Sequence, residues 1–107
     1  MKGEALKGHL DMLLLAALQA GAAHGYAIIA ALRERSGGTF DLPEGTIYPA
    51  LHRLEQSGLL QSSWTVVGGR RRRVYELTKQ GHAALAERRE EWLSFSGAVA
   101  SVLGSTA

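Results

Sequence analysis

Four consecutive arginines, Arg70 to Arg73, are the residues whose type and spacing most clearly indicate chemistry. They follow Gly68-Gly69, a strong two-residue turn signal, between segments rich in β-branched and aromatic residues. The chain has 12 Lys and Arg against 10 Asp and Glu, so its net charge is small and the positive charge is concentrated here. Protecting a strand edge or keeping a turn soluble would need only one or two lysines. The run therefore favours binding to the phosphates of a nucleic acid.

A second set of candidate residues lies on the segment 43–56, which the apolar spacing of Ile47, Leu51 and Leu54 predicts to be a helix. A step of about 100° per residue places Thr46 and Tyr48 on the flanks of this helix. The residues on its outward face are Gly45, Pro49, His52, Arg53 and Gln56. The small residues allow close approach to DNA, the hydroxyls suit phosphates, and Arg53 could bind a guanine through two hydrogen bonds. An ordinary solvated helix face would show the same pattern.

The hairpin that carries the arginines is predicted from Gln61–Val67 and Arg70–Leu77. A two-residue turn pairs Val67 with Arg70 and puts Trp64 opposite Arg73. Arg71 and Arg73 then share a face with Trp64, whereas Arg70 and Arg72 lie on the other face. Trp64 is expected to stack on Arg73.

The remaining periodicity predicts helices over Lys7–Gln19, from about His24 to Gly37-Gly38, over Pro43–Gln56 and over Lys79–Leu103. In the third of these, regular helix is expected to start near Gly45 or Thr46, which would leave Pro49 in the first turn. Thr78 is a natural N-cap for the last helix.

The last helix has an apolar seam, formed by Leu85, Trp92, Phe95, Val99 and Val102. It would be roughly 37 Å long, which is more than so small a domain can cover, and a seam of this kind favours a second subunit. Trp92 and Phe95 could instead line a pocket for a small aromatic or apolar effector, and the two interpretations are compatible.

Enzymatic and metal-binding functions have little support in the sequence. There is no cysteine, the four histidines lack a paired spacing, and the glycine pairs lack the frame of a phosphate-binding loop. The sequence predicts no catalytic residue, no cofactor and no metal. The longest apolar run is too short to span a bilayer, and no signal peptide is recognisable. We therefore expect a cytoplasmic protein without a membrane partner.

The order helix, helix, helix, hairpin, long helix is that of a winged helix-turn-helix fold, mainly α with a β-hairpin wing (α+β), followed by a dimerisation helix. The predicted division is a DNA-binding domain over residues 1–78 and the dimerisation helix over 79–107. A dimer would bind a pseudo-palindromic operator in double-stranded DNA. The alternative is a protein-interaction module on the same scaffold that does not bind DNA.

Three stretches carry a resemblance to a known family: His24-Gly25-Tyr26, Glu44 to Glu55 with its core Gly45-Thr46-Ile47-Tyr48-Pro49-Ala50-Leu51, and Gly69 to Thr78. They resemble the PadR family of transcriptional regulators, in the subgroup with a short C-terminal region. The resemblance implies a homodimeric DNA-binding regulator, usually a repressor released by a small ligand. It also implies that the last helix packs on the first helix of the other subunit, through Leu10 and Leu14. The DNA-binding set is then Tyr26, Thr46, Tyr48, Pro49, His52, Arg53 and Arg70, Arg71, Arg72 and Arg73. Leu42 departs from the family, which often has a serine-like helix cap there.

Overall fold

A computed structural model describes Leu6 and residues 8–104 of the chain. In these residues the elements are α1 (Leu10–Ala17), β1 (Ala23–His24), α2 (Gly25–Arg35), α3 (Glu44–Gln56), β2 (Leu60–Val67), β3 (Arg70–Leu77) and α4 (Lys79–Leu103). The mainly α architecture with a β-hairpin wing and a long last helix is confirmed. The predicted helix start at Lys7 lies outside the described residues, and α1 ends two residues before the predicted Gln19.

One apolar core joins the helices to the base of the hairpin. Leu14, Ile47 and Leu51 are fully buried at its centre. Leu60 and Leu77, the paired residues at the base of the hairpin, close the core from the sheet side. The helical spacing of these leucines and isoleucines supplies one buried face per helix, which fixes how α1, α2 and α3 pack.

The hairpin β2–β3, which we call the wing, has the predicted register. Val67 pairs with Arg70 and Trp64 pairs with Arg73. A third strand, β1, adds to the free edge of β3, with Ala23 opposite Tyr75. The sequence did not predict β1, because two residues are too few to show a period. This short strand ties the start of α2 to the wing.

Side-chain caps fix the starts of α2 and α4. His24 accepts a hydrogen bond at Nδ1 from the backbone N–H of Ala27 at 3.3 Å. Thr78 is the predicted N-cap: its Oγ1 accepts from the N–H of Gly81 at 3.0 Å and donates to the Gly58 carbonyl at 2.6 Å. Thr78 therefore joins α4 to the end of α3.

Pro49 lies inside α3, and the expectation that it belongs to the first turn was wrong. The helix begins at Glu44 with Pro43 as its N-cap, and the N–H groups of Thr46 and Ile47 both reach the Pro43 carbonyl. Pro49 is thus in the second turn, where its ring nitrogen cannot donate to the carbonyl of Gly45. Gly45 and Pro49 are both exposed, so the break in the hydrogen-bond pattern lies on the solvent side of the helix.

No helix within the described residues combines the length and apolarity needed to cross a membrane.

Candidate nucleic-acid interface

The outer face of α3 consists of four exposed residues on one side of the helix: Gly45, Pro49, His52 and Gln56. The opposite side carries Ile47, Leu51 and Leu54, each at most 1% exposed. The helix is therefore held in the core by one side and open to solvent on the other. Because Gly45 and Pro49 have small side chains, another molecule can approach this face closely, and His52 and Gln56 offer it polar groups.

Tyr48 lies on the flank of α3 that faces α2 and the wing. A Cβ atom at Gly25 would overlap the Tyr48 ring, so the first turn of α2 accepts Tyr48 only because residue 25 is glycine. Partial burial, the largest cause, and the nearby Tyr26 and Glu44 raise the pKa of Tyr48. Its hydroxyl therefore stays protonated at neutral pH and can donate a hydrogen bond.

Tyr26 stands beside Tyr48, half exposed, with their ring centroids 6.5 Å apart. The guanidinium carbon of Arg72 lies 5.3 Å from the Tyr26 ring. Glu44 raises the pKa of Tyr26, first through a side-chain hydrogen bond and then through its charge. The start of α2, the start of α3 and the wing thus meet in one polar surface, which presents two neutral hydroxyls, the Arg72 cation and the carboxylate of Glu44.

The wing arginines are divided between two faces, as the register predicts. Arg71 and Arg73 flank the exposed Trp64, with guanidinium carbons 4.9 and 5.6 Å from its ring. The expected contact between Trp64 and Arg73 is confirmed, and Arg73 also lies 3.6 Å from a carboxylate oxygen of Glu55 on α3. Within the described part of the chain, Arg70 makes no ion pair or ring contact. The four charges are therefore not equivalent.

Arg53 is more than half exposed, yet its side chain is paired with α1 and does not project freely from the outer face. Its predicted contact with a guanine stays a prediction. Its two terminal nitrogens donate to the carboxylate oxygens of Asp11 on α1, at 2.8 and 2.9 Å. This hydrogen-bonded carboxylate is the main cause that raises the pKa of Arg53. The reason lies in the packing: Arg53 sits at the edge of the outer face nearest α1. Thr46 occupies the same edge and is half-buried.

The seam on α4 is exposed over its second half. Trp92 and Val99 are 39% and 38% exposed, and Phe95 and Val102 have larger exposed fractions, 61% and 88%. Leu14 and Leu85 differ from them, since both are buried in the chain's own core. Their predicted place at a subunit interface is corrected accordingly: neither side chain is open to a second subunit. Leu10 is half-buried against the same core.

A cleft of about 410 Å³ lies between the start of α1 and the middle of α4. Trp92 and Phe95 form its aromatic wall, with ring centroids 6.2 Å apart, and His9 meets Trp92 edge-on at 5.0 Å. Asp11 and Arg88 give it a charged side, and their closest nitrogen and oxygen are 3.7 Å apart. The two residues predicted to bind an effector are therefore neighbours in one open cleft.

Comparison with known proteins decides the family. The family model described as the transcriptional regulator PadR-like family matches residues 14–87, which include α2, α3 and the whole wing. The chain belongs to the PadR-like family. Members of this family are transcriptional regulators, so the protein is a regulator and not an enzyme.

Relatives of known name support the assignment. Transcriptional regulator Rv3488 of Mycobacterium tuberculosis is 53% identical over 57 residues, which are 53% of each chain. The match to that relative thus spans about half of its length. A PadR family regulator from Eggerthella lenta superposes with a TM-score of 0.81 at 32% identity, covering 96% of this chain and 88% of the other. One from Clostridium difficile superposes at 0.78 and 33% identity, covering 90% and 99%. The winged-helix fold of the PadR-like family is therefore that of this chain from α1 through α4.

Proposed function

We propose that this chain is a homodimeric regulator that binds a specific double-stranded DNA sequence. The observation that carries the proposal is the contact between the wing and the flank of α3. Arg73 lies 3.6 Å from Glu55 of α3, and Arg72 covers Tyr26 at the start of α2. A cationic ribbon beside an exposed helix suits DNA, because a helix can read base edges while the ribbon binds phosphates. Membership of a family of transcriptional regulators agrees with this reading.

The outer face of α3 would enter the major groove. His52 and Gln56 can donate to and accept from base edges there, while Gly45 and Pro49 let the helix approach closely. The hydroxyls of Tyr26, Tyr48 and Thr46 would bind phosphates beside the groove. Arg70, Arg71 and Arg72 would bind the phosphates beyond it.

We further propose that the chain pairs through α4 and responds to a small molecule. The exposed seam of α4 would pair two subunits, so the operator would be pseudo-palindromic with half-sites about one helical turn apart or a multiple of it. The regulator would be a repressor acting in the cytoplasm and released when a small aromatic or apolar effector enters the cleft at Trp92 and Phe95. Both aromatic rings are large apolar surfaces that such a molecule would cover.

The DNA-binding proposal is tested by the salt dependence of affinity. The probe is a duplex that the wild-type protein selects from a random pool, compared with a scrambled duplex by fluorescence anisotropy. Each phosphate contact contributes about 0.9 to the slope of log affinity against log salt. Arg70→Ala/Arg72→Ala should therefore lower the slope by nearly two, whereas Arg33→Ala/Arg35→Ala removes the same charge from α2 and should leave it unchanged.

Two outcomes would contradict the proposal. Equal affinity for selected and scrambled duplexes, or none for either, would favour a protein-interaction module instead. An unchanged slope in Arg70→Ala/Arg72→Ala would remove the wing from the DNA-binding surface.

The effector is tested with Trp92 as its own reporter. The sequence has two tryptophans, so Trp64→Phe leaves Trp92 as the single fluorophore. Saturable quenching by a planar aromatic compound, lost in Trp64→Phe/Phe95→Ala, would support the cleft. Quenching that does not saturate, or that persists without Phe95, would contradict it.

A further inference from the structure

Asp11 is a point at which three helices meet. It belongs to α1, receives two hydrogen bonds from Arg53 of α3, and lies 3.7 Å from Arg88 of α4. The carboxylate is mostly covered, at 28% side-chain exposure, while Arg53 is 55% exposed. No other carboxylate in the described part of the chain accepts ion pairs from two different helices.

The bond between Arg53 and Asp11 has the geometry that makes an arginine pair rigid. Both terminal nitrogens donate, one to each carboxylate oxygen, at 2.8 and 2.9 Å. Parallel hydrogen bonds of this kind fix the orientation of both groups and are stronger than single ones. A guanine would be bound by the same pair of donors. Arg53 therefore cannot make both contacts through that edge at once.

The pair is also placed where it can hold α3 in position. On the wing side of α3, Glu55 accepts from the Ser62 hydroxyl and lies 3.6 Å from Arg73. On the α1 side, Arg53 is bonded to Asp11. These two contacts flank the C-terminal half of the outer face, where His52 and Gln56 project. Losing one of them would let that half move without unfolding the core beneath it.

We infer that Asp11 and Arg53 are positioning residues that hold α3 at the angle DNA binding requires, and that Arg53 does not read a base. The inference rests on the proposed function and assigns these two residues a part in it. Neither Asp11 nor Arg53 belongs to the apolar core that anchors α3, so the pair acts on the placement of the helix more than on folding. Because Asp11 also lines the cleft and faces Arg88, the placement of α3 is linked to α4.

A double-mutant cycle separates positioning from base reading. Asp11→Asn, Arg53→Gln and the double variant are compared for affinity to the selected duplex at several salt concentrations. If the pair positions α3, each single variant weakens binding by about fivefold or more. The double variant is then no weaker than the worse single one, and the salt slope keeps its wild-type value.

A direct contact between Arg53 and DNA predicts different results. If Arg53 contacts DNA, Asp11→Asn frees it and leaves affinity unchanged or raised. Arg53→Gln then weakens binding further in the Asp11→Asn background, and the slope falls by about one if the contact is to a phosphate. Arg53→Lys adds a second criterion, because it keeps the charge but loses the paired geometry. Positioning predicts that it behaves like Arg53→Gln, and affinity at the wild-type level would overturn the inference.

The matched control is Arg33→Gln. Arg33 has nearly the same exposed fraction, 56%, and also lies near an aspartate, Asp41, but at the far end of α2. Hydrogen–deuterium exchange of the free protein gives a readout that needs no DNA. Asp11→Asn and Arg53→Gln should each speed exchange in the C-terminal half of α3, and Arg33→Gln should not. Unchanged exchange overturns the positioning role. A wild-type protein that shows no preference for the selected duplex overturns the proposed function, and the exchange result then reports only that Asp11 and Arg53 tie α3 to α1.

Discussion

Gly81, in the first turn of α4, shows how one residue controls the joint between the wing and the last helix. A Cβ atom there would collide with the backbone carbonyl of Leu59. Gly81→Ala should therefore lower the free energy of unfolding by about 1–3 kcal/mol, the usual cost of overpacking. Gly97 is the control, since it lies in the same helix and a Cβ atom added there would meet nothing within 4 Å. Gly97→Ala should instead stabilise by roughly 0.5–1 kcal/mol. Equal effects in urea unfolding at one protein concentration would contradict the steric argument.

The partner of Arg53 could not be predicted from the sequence. Helical periodicity correctly placed Arg53 near the outer face of α3. Its partner, Asp11, is 42 positions earlier in the chain, and nothing in the local pattern connects them. Trp64 and Arg73 were easier to predict, because a two-residue turn fixes their pairing.

The elements were largely predictable because their signals are local. Thr78 and the glycine pair at 68–69 marked a helix start and a turn by their own chemistry, and both are confirmed. The strand Ala23–His24 forms only because β3 offers a free edge, which a local pattern cannot reveal. Pro49 lies deeper in α3 than the sequence predicts. The core packing of α3, which a local pattern does not show, outweighs the hydrogen bond that proline removes.

Pro49 also gives a prediction at the scale of the helix. Pro49→Ala restores a backbone N–H that can donate to Gly45, although it makes the unfolded chain more flexible. The restored hydrogen bond should outweigh the added flexibility, so that Pro49→Ala raises the free energy of unfolding by about 1–2 kcal/mol. His52→Ala, on the same exposed face, should change it by less than about 0.5 kcal/mol. A destabilised Pro49→Ala, measured by urea unfolding beside His52→Ala, would mean that proline's fixed backbone angle matters more than the lost bond.

The whole molecule is elongated, with extents of 52 by 28 by 22 Å, because α4 continues well past the core. The last residue of α4 buried in the core is Leu85, yet the helix runs to Leu103. A contiguous exposed apolar stripe of this kind is typical of an interaction surface. We therefore expect the stripe to be covered by the same stripe of a second copy.

Phe95→Glu tests this expectation because it puts a charge in the middle of the stripe, where Phe95 is 61% exposed. In a dimer the charge would be buried against apolar groups without a partner, so the variant should sediment as a monomer at concentrations where the wild type is dimeric. Affinity for a palindromic duplex should fall with it, because one subunit supplies only half of the contacts. Ser101→Glu adds the same charge on another side of α4 and should remain a dimer. Sedimentation velocity over a hundredfold concentration range decides between them. A wild type that stays monomeric throughout, or a dimeric Phe95→Glu, would contradict pairing through this stripe.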